Sequence, residues 1–285
     1  MNRTAGCLAK LDRMTKTLHH READRVPVSD LFWGSFLERW RRELGLPAGT
    51  DIYKYYDLDW TVTVPNMDPH IKAFETLEET REHVIVRTGF EAVIRKNFAD
   101  PMPAFLTFDT DSLEKMAAFR FDDPWDDRRY FSPGDNQLAG MGDGFTRNSP
   151  GWIETVRTLH SDIPVYGSVC EAQEMLWRTI GLENALLWMG LYPDEVGRFI
   201  ERIGEFVLGI AKAQIRASGG LLDGLVIWGD VAYRNGLFFS PGYWRKHFKP
   251  VVKALVDEGH AHGLPVIYHG CGNVQQIFAD FIEIG

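Results

Sequence analysis

Apolar positions are spaced irregularly through the first half of the chain and regularly through the second. Phe36, Leu37, Trp40 and Leu44 recur at helical spacing, which predicts a helix over residues 36–44 stopped by Gly45 and Pro47. Ahead of it, residues 26–32 read as a short buried strand, and residues 60–64 as a second one ended by Pro65. Residues 83–87 and 92–96 alternate on either side of Thr88-Gly89-Phe90-Glu91 and predict a hairpin laid over the domain. Residues 112–118 read as a short helix, followed by an exposed acidic loop containing Asp122, Asp123, Asp126 and Asp127. Residues 132–149 are rich in Gly, Asn and Asp and predict a long loop, of the kind that often serves as a lid.

Beyond that loop, strands and helices alternate. Helices are predicted over residues 152–160, 174–189 (broken at Gly181), 193–217 and 241–262, with another beginning at residues 274–278. Pro193-Asp194-Glu195 and Ser240-Pro241 are sound first turns. Strands are predicted over residues 163–169, 222–228 and 265–269. Strands separated by helices of crossover length mean parallel βαβ units and an α/β fold. No Gly-x-Gly-x-x-Gly or Gly-x-x-x-x-Gly-Lys-Ser/Thr run is present to mark a doubly wound nucleotide binder. Polar residues of chemical interest, Cys170-Glu171, Asp230 and His269, fall instead at the C-terminal ends of strands. A (β/α)8 TIM-type barrel uses that edge for its active site. The expectation is one such barrel domain over residues 1–285. About six strands can be counted before Gly285, and residues 281–285 read as the approach to another. The barrel is therefore expected to be incomplete at its C-terminal end, or closed by the extra early strands.

Composition narrows the function classes. The 285 residues carry 31 Lys+Arg and 40 Asp+Glu, a net charge of −9, which argues against a nucleic-acid or anionic-membrane binder. No apolar run is long enough to span a bilayer, and the first sixteen residues hold no apolar signal segment. Cys7, Cys170 and Cys271 cannot make a disulfide framework and fit a reducing cytoplasm. Aromatic residues make up 13% of the chain, enough to fill the core and line an apolar pocket as well.

Tyr268-His269-Gly270-Cys271-Gly272-Asn273 is the most informative segment. Two residues apart on a strand, His269 and Cys271 share a face, and an imidazole with a thiolate suits zinc. The flanking glycines let the backbone turn closely around such a site. The bland alternative is a buried cysteine beside a histidine that caps the next helix. A third ligand must come from elsewhere, and Cys170 and Glu171 are the candidates. Glu171 is equally a candidate general acid or a plain loop residue. Asp230, after the apolar strand over residues 222–228, reads on its own as an N-cap or turn carboxylate.

The chain resembles the uroporphyrinogen decarboxylase superfamily, which includes the zinc-dependent methyltransferases of corrinoid systems. The resemblance rests on Asp24-Arg25-Val26-Pro27-Val28, Gly181-Leu182-Glu183-Asn184, Pro193-Asp194-Glu195-Val196 and Phe248-Lys249-Pro250. Its most specific parts are Gly229-Asp230-Val231-Ala232-Tyr233-Arg234-Asn235-Gly236-Leu237-Phe238-Phe239-Ser240-Pro241 and the run from His262 to Asn273. It implies a (β/α)8 barrel, zinc held by His269 and Cys271, a cleft lined by Asp230 as a carboxylate that orients substrate or carries a proton, and a rim at Tyr233, Arg234 and Asn235. The decarboxylase branch carries an Arg-Gln-Ala-Gly-Arg motif after the first strand, for the carboxylates of its substrate. Here that stretch is Ser29-Asp30-Leu31-Phe32-Trp33-Gly34-Ser35, with no arginine and with Trp33 as a substrate-facing candidate. The methyltransferase branch has a later cysteine ligand with no counterpart here. The expected function is a methyltransferase that moves a methyl group between a small substrate and a corrinoid on a partner protein. An aryl methyl ether is one candidate donor. The runner-up is a metal-free lyase acting on a smaller acid, and a third reading is a non-catalytic binding barrel.

Overall fold

Four parallel strands form the sheet that carries the site. They are β1 (Thr61–Val62), β6 (Val165–Cys170), β7 (Gly224–Trp228) and β10 (Val266–His269), in the order β1-β6-β7-β10. The computed structural model describes residues 2–72, 74–100, 102–133 and 150–285. The loop expected over residues 132–149 lies, beyond Pro133, outside the described residues. The fold is α/β with a parallel sheet, as the alternation of strands and helices predicts.

The sheet buries both faces. On one, Tyr166, Val226 and Ile267 pack with Met14 of α1 (Ala5–Leu18). On the other, Val169, Leu225, Ile227, Val266 and Tyr268 pack against the crossover helices. These are α7 (Ala172–Ile180), α9 (Pro193–Ser218) and α11 (Lys249–Ala261). The helix breaks follow local chemistry. Gly181, at φ +86°, separates α7 from α8 (Leu182–Leu191), and a Cβ there would stand 2.8 Å from the Phe108 ring. Ser240 Oγ accepts from Tyr243 N at 3.1 Å and starts α10 (Pro241–Tyr243). A π-helical turn at Trp244–Phe248 then leads into α11.

A second, antiparallel sheet of β2 (Glu75–Glu79), β3 (His83–Arg87), β4 (Ala92–Asn97) and β5 (Ala104–Phe108) enlarges the predicted hairpin to four strands. It docks through Phe105, whose ring meets Trp177 of α7 edge-on at 5.0 Å. The expected short helix follows as α4 (Leu113–Ala118), with Ser112 as its cap.

Two expectations are corrected. Residues 26–32 form no strand. Val26, Val28 and Leu31 are exposed, and the segment is held by the buried Asp59. That carboxylate accepts from Val28 N at 2.6 Å, from Arg25 and from Arg13, while Asp59 N donates back to Val28 O at 2.8 Å. A buried carboxylate satisfied by two guanidiniums thus replaces the ladder. Residues 281–285 lead into no strand either, because α12 spans Phe278–Ile284, with Ile284 on its buried side.

Candidate active site

Register places three side chains in one row. Cys170 pairs with Trp228 across β6 and β7, and His269 pairs with Trp228 across β10 and β7. Partners in a parallel ladder point to the same face, opposite the face that carries Ile227 and the crossover helices. The strands end together, so the row lies at their C-terminal edge, where α/β folds place their sites. The Trp228 and His269 rings meet edge to face at 5.2 Å.

The loops after β7 and β10 complete a cluster. Cys271 N donates to Asp230 Oδ1 at 2.7 Å, which fixes that carboxylate. His269 Nε2 stands 3.7 Å from Cys271 Sγ and 3.7 Å from Asp230 Oδ1. Donor atoms of the three residues all lie within 4.8 Å of one another, the only such group among the described residues. Glycines make the approach possible. A Cβ on Gly270 would stand 2.8 Å from Gly229 O, and one on Gly272, at φ +87°, would stand 2.6 Å from Tyr233 O. The donor set fits zinc. Ligands at about 2.0–2.3 Å on a tetrahedron are separated by roughly 3.3–3.8 Å; the two 3.7 Å separations from His269 Nε2 have that length, and three protein ligands leave a fourth position open.

Glu171 stands beside this cluster. It caps α7, with Oε1 accepting from Gln173 N at 3.1 Å and its own N–H donating to Trp228 O at 2.8 Å. The side chain is fully buried, and Oε2 has no hydrogen-bond partner. Burial pushes its pKa up to about 8; the Gln173 N–H opposes this, and the charges of Glu174 and Asp230 reinforce it. Glu171 therefore holds a proton at neutral pH. The neighbouring Glu174 is charge-paired, accepting from Arg178 at 2.7 Å and from Trp177 Nε1 at 2.5 Å. Tyr268 Oη donates to Gly229 O at 3.0 Å, and a Cβ on Gly229 would stand 2.0 Å from that oxygen and 2.8 Å from Glu171 Cγ.

The raised pKa has a measurable consequence. Between 4.5 and about 8 the folded protein keeps a proton that the unfolded chain has lost. Stability should fall as pH rises through that window and level off above it, by ~1.4 kcal/mol per pH unit at most. Glu171→Gln removes this slope. In thermal melts it should match the wild type near pH 4 and exceed it near pH 9. Parallel profiles would show that Glu171 is not a buried neutral acid.

The structure brings Asp230, rather than Cys170 or Glu171, to His269 and Cys271. Cys170 stands about 10 Å away along the row, two strand spacings, with the Trp228 indole between. Its thiol is buried, and burial pushes it well above the ordinary thiol range. Cys271 is exposed; its thiol too is raised, by desolvation first and then by the Asp230 carboxylate. Tyr233 lies in the hairpin of β8 (Ala232–Tyr233) and β9 (Gly236–Leu237), and its carbonyl accepts from Asn273 N at 2.9 Å. Asn235 is exposed at the tip of that hairpin. Trp33 precedes α2 (Gly34–Glu43) from an exposed position, and no hydrogen bond or ring contact joins it to the cluster among the described residues. Trp228, which the sequence alone suits to the core, also stands at this edge. Trp228's position two residues before Asp230, on the cleft-facing parity of its strand, is the signal that points to it.

An acid, an imidazole and a thiol thus converge at the strand ends of an α/β fold, groups of a kind that can hold a metal or move a proton. Residues 150–285 match the model described as Uroporphyrinogen decarboxylase (URO-D), which bears out the resemblance read from the motifs. Among solved structures, a methyltransferase from Methanosarcina mazei is similar, with a TM-score of 0.58 at 15% identity, over 97% of this chain and 74% of that one. At that identity the likeness is one of fold. No curated protein sequence matches the chain.

Proposed function

We propose that this protein is a zinc-dependent methyltransferase, moving a methyl group between a small substrate and a corrinoid carried by a partner protein. In this reading the parallel sheet is part of a (β/α)8 barrel, and the whole chain serves one site. The observation that carries it is the convergence of Asp230, His269 and Cys271, whose donor atoms lie within 4.8 Å of one another, with His269 Nε2 3.7 Å from each of the other two. Those three residues would hold the ion. When bound, zinc supplies Lewis acidity toward a substrate oxygen or sulfur.

The chain's own residues supply the rest. Glu171 keeps a proton at Oε2, available to the oxygen that leaves when a methyl ether gives up its methyl. Asp230 is oriented by the Cys271 N–H, which holds Oδ1 3.7 Å from His269 Nε2, where it can serve as ligand or base. Tyr233 and Asn235, on the hairpin whose backbone ties down the Asn273 end of the loop, form the substrate rim. Unpaired thiols at Cys7, Cys170 and Cys271 suit a reducing cytoplasm, where this reading places the protein. No described helix is long and apolar enough to cross a membrane.

The test mixes zinc-loaded protein with cob(I)alamin and a panel of methyl ethers, methanol and methylated thiols. Methylcobalamin formation is read from the visible spectrum. Formation that depends on zinc and on Cys271 is expected; no transfer from any donor sinks the reading.

The family match keeps a metal-free lyase as the second reading, with Asp230 or Glu171 as proton carrier. Residues 29–35 hold no arginine for a polycarboxylate, so uroporphyrinogen is not its substrate in either case. Incubation with uroporphyrinogen should yield no coproporphyrinogen above background.

A further inference from the structure

Away from the ligand cluster, the fold holds a cleft of about 470 Å³, the size of a small-molecule site. It opens between the tip of the β3–β4 hairpin and α4. His70, Glu91, Asp109 and Thr110 come to it from the hairpin and the segments beside it. Lys115, Phe119 and Arg120 come from α4 and the turn after it. None of them belongs to the Asp230–His269–Cys271 cluster.

The hairpin side is built of acceptors. His70 stands between two carboxylates, with Nδ1 3.5 Å from Asp122 Oδ1 and Nε2 3.5 Å from Glu91 Oε1. A neutral imidazole has one N–H and can satisfy only one of them. Asp122 is the fixed partner, since its Oδ2 accepts from Ile71 N at 2.7 Å and its own N–H donates to Pro69 O at 2.9 Å. A proton on Nδ1 leaves Nε2 as a lone pair facing the Glu91 carboxylate, two acceptors with no donor between them. Glu91 is also strained. It takes φ +57°, a left-handed conformation that suits glycine, and its carboxylate accepts no hydrogen bond among the described residues. Asp109, which pairs with Arg87, adds a second carboxylate, and the nearly buried Thr110 adds a hydroxyl.

The α4 side is built of donors. Arg120 Nη1 donates to Ala118 O at 3.0 Å and to Phe119 O at 2.9 Å. Arg202 caps the same helix end, donating to Ala117 O at 3.1 Å and to Phe119 O. Two guanidiniums thus share one turn, and neither forms an ion pair among the described residues. Like charges so placed favour an anion beside them. Lys115 is exposed and pairs with Asp111. The Phe119 ring, 5.3 Å from that of His70, gives the cleft apolar surface.

We propose that this cleft binds a small zwitterion, a molecule with a primary ammonium at one end and a carboxylate at the other. The ammonium carries three N–H donors and no acceptor, which answers the facing acceptors His70 Nε2 and Glu91, with Asp109 beside them. The carboxylate pairs with Arg120, whose remaining N–H groups suit it. A simple anion would meet the carboxylates, and a simple cation the guanidiniums, so each is disfavoured at one end. The site is separate from the metal cluster, and the inference holds whichever reaction that cluster performs.

Glycine, 4-aminobutyrate and 6-aminohexanoate serve as probes of increasing length, with hexanoate and hexylamine as singly charged controls. Each is titrated into the full-length chain by calorimetry, with and without added zinc. At least one zwitterion should bind about tenfold more tightly than either control, and zinc should not change its affinity. Glu91→Gly should weaken that zwitterion about tenfold, the scale of one lost charged hydrogen bond. Its thermal midpoint should stay near the wild-type value, because glycine suits the left-handed backbone. Arg120→Gln should weaken the same probe to a similar extent, while Arg202 still caps α4. A wild type that binds no zwitterion would overturn the proposal and make His70 an imidazolium bridging Asp122 and Glu91. Controls that bind as tightly as the zwitterions would overturn it too, as would variants that keep wild-type affinity. Binding that requires zinc would place the ligand at the metal cluster and overturn it equally.

Discussion

One equivalent of zinc should remain on the full-length protein after purification without chelator and incubation at neutral pH. Cys271→Ser should lose most of it, and His269→Ala likewise. Each change removes a donor that the ion needs: a hydroxyl is a poor substitute for a thiolate, and a methyl donates nothing. The expected loss of affinity is on the order of a hundredfold or more, since even an outer-shell change costs about 10–100-fold. Asp230→Asn keeps the shape and removes the charge, so it should weaken binding less. Affinity should fall as pH drops, because the thiol and the imidazole must give up protons at their donor atoms. Desolvation and Asp230 raise the Cys271 thiol in the free protein, which adds to the number of protons released on binding. Folding should hardly change in these variants. His269 and Cys271 are exposed, and the core lies behind them against α7, α9 and α11. Elemental analysis and thermal melts on the same samples check both statements. Well under one equivalent on the wild type would dismiss the zinc mechanism and advance the lyase.

Gly229→Ala should be the most damaging single methyl group that can be added near the site. Its Cβ would stand 2.0 Å from Tyr268 Oη and 2.3 Å from Cζ, closer than any real contact. Tyr268 cannot simply step aside. Its hydroxyl donates to Gly229 O, and its ring packs on Phe281 at a centroid distance of 4.5 Å. Glu171 closes the other side at 2.8 Å. Overpacking of this kind typically costs about 1–3 kcal/mol, and the upper end is expected here, with loss of the register that aligns Glu171 and Asp230. Gly190→Ala is the control. It lies in α8 with nothing near its Cβ, so it should be neutral or slightly stabilising. Denaturant unfolding of both variants decides the matter; a Gly229→Ala protein as stable as the control would mean that the packing at the strand end is loose.

Much of this was readable from the chain before any fold was known. Helices announced themselves through local chemistry: Pro193 and Ser240 at their starts, and Gly181 at the break between α7 and α8. His269 and Cys271 were legible because their spacing alone places them on one face. Residues 26–32 misled because their apolar pattern resembles a strand, whereas the partner that holds them is a carboxylate 31 residues from Val28. The residue that joins His269 and Cys271 in the structure, Asp230, could not be picked out for a related reason. Cys170, Glu171 and Asp230 all sit at strand ends, and choosing among them requires the lateral order of the strands. Order and register are properties of pairing between distant segments, and so is the position of Trp228 between two candidate ligands. The fate of residues 281–285 was equally hidden, since their short apolar run suits a strand or a helix turn alike.

The row of tied strand ends also sets when the site can exist during synthesis of the chain. Its parts are joined by backbone bonds from Glu171 to Trp228 and from Gly229 to His269, and by Cys271 N to Asp230. Each bond spans about forty residues or more, and each belongs to a parallel pairing that must wait for the intervening helix. While β10 is still inside the ribosome, Asp230 has no imidazole or thiol beside it, and Glu171 has half of its surroundings. The emerging polypeptide therefore cannot bring imidazole, thiol and carboxylate together until β10 has docked beside β7, some forty residues of synthesis after Asp230 appears.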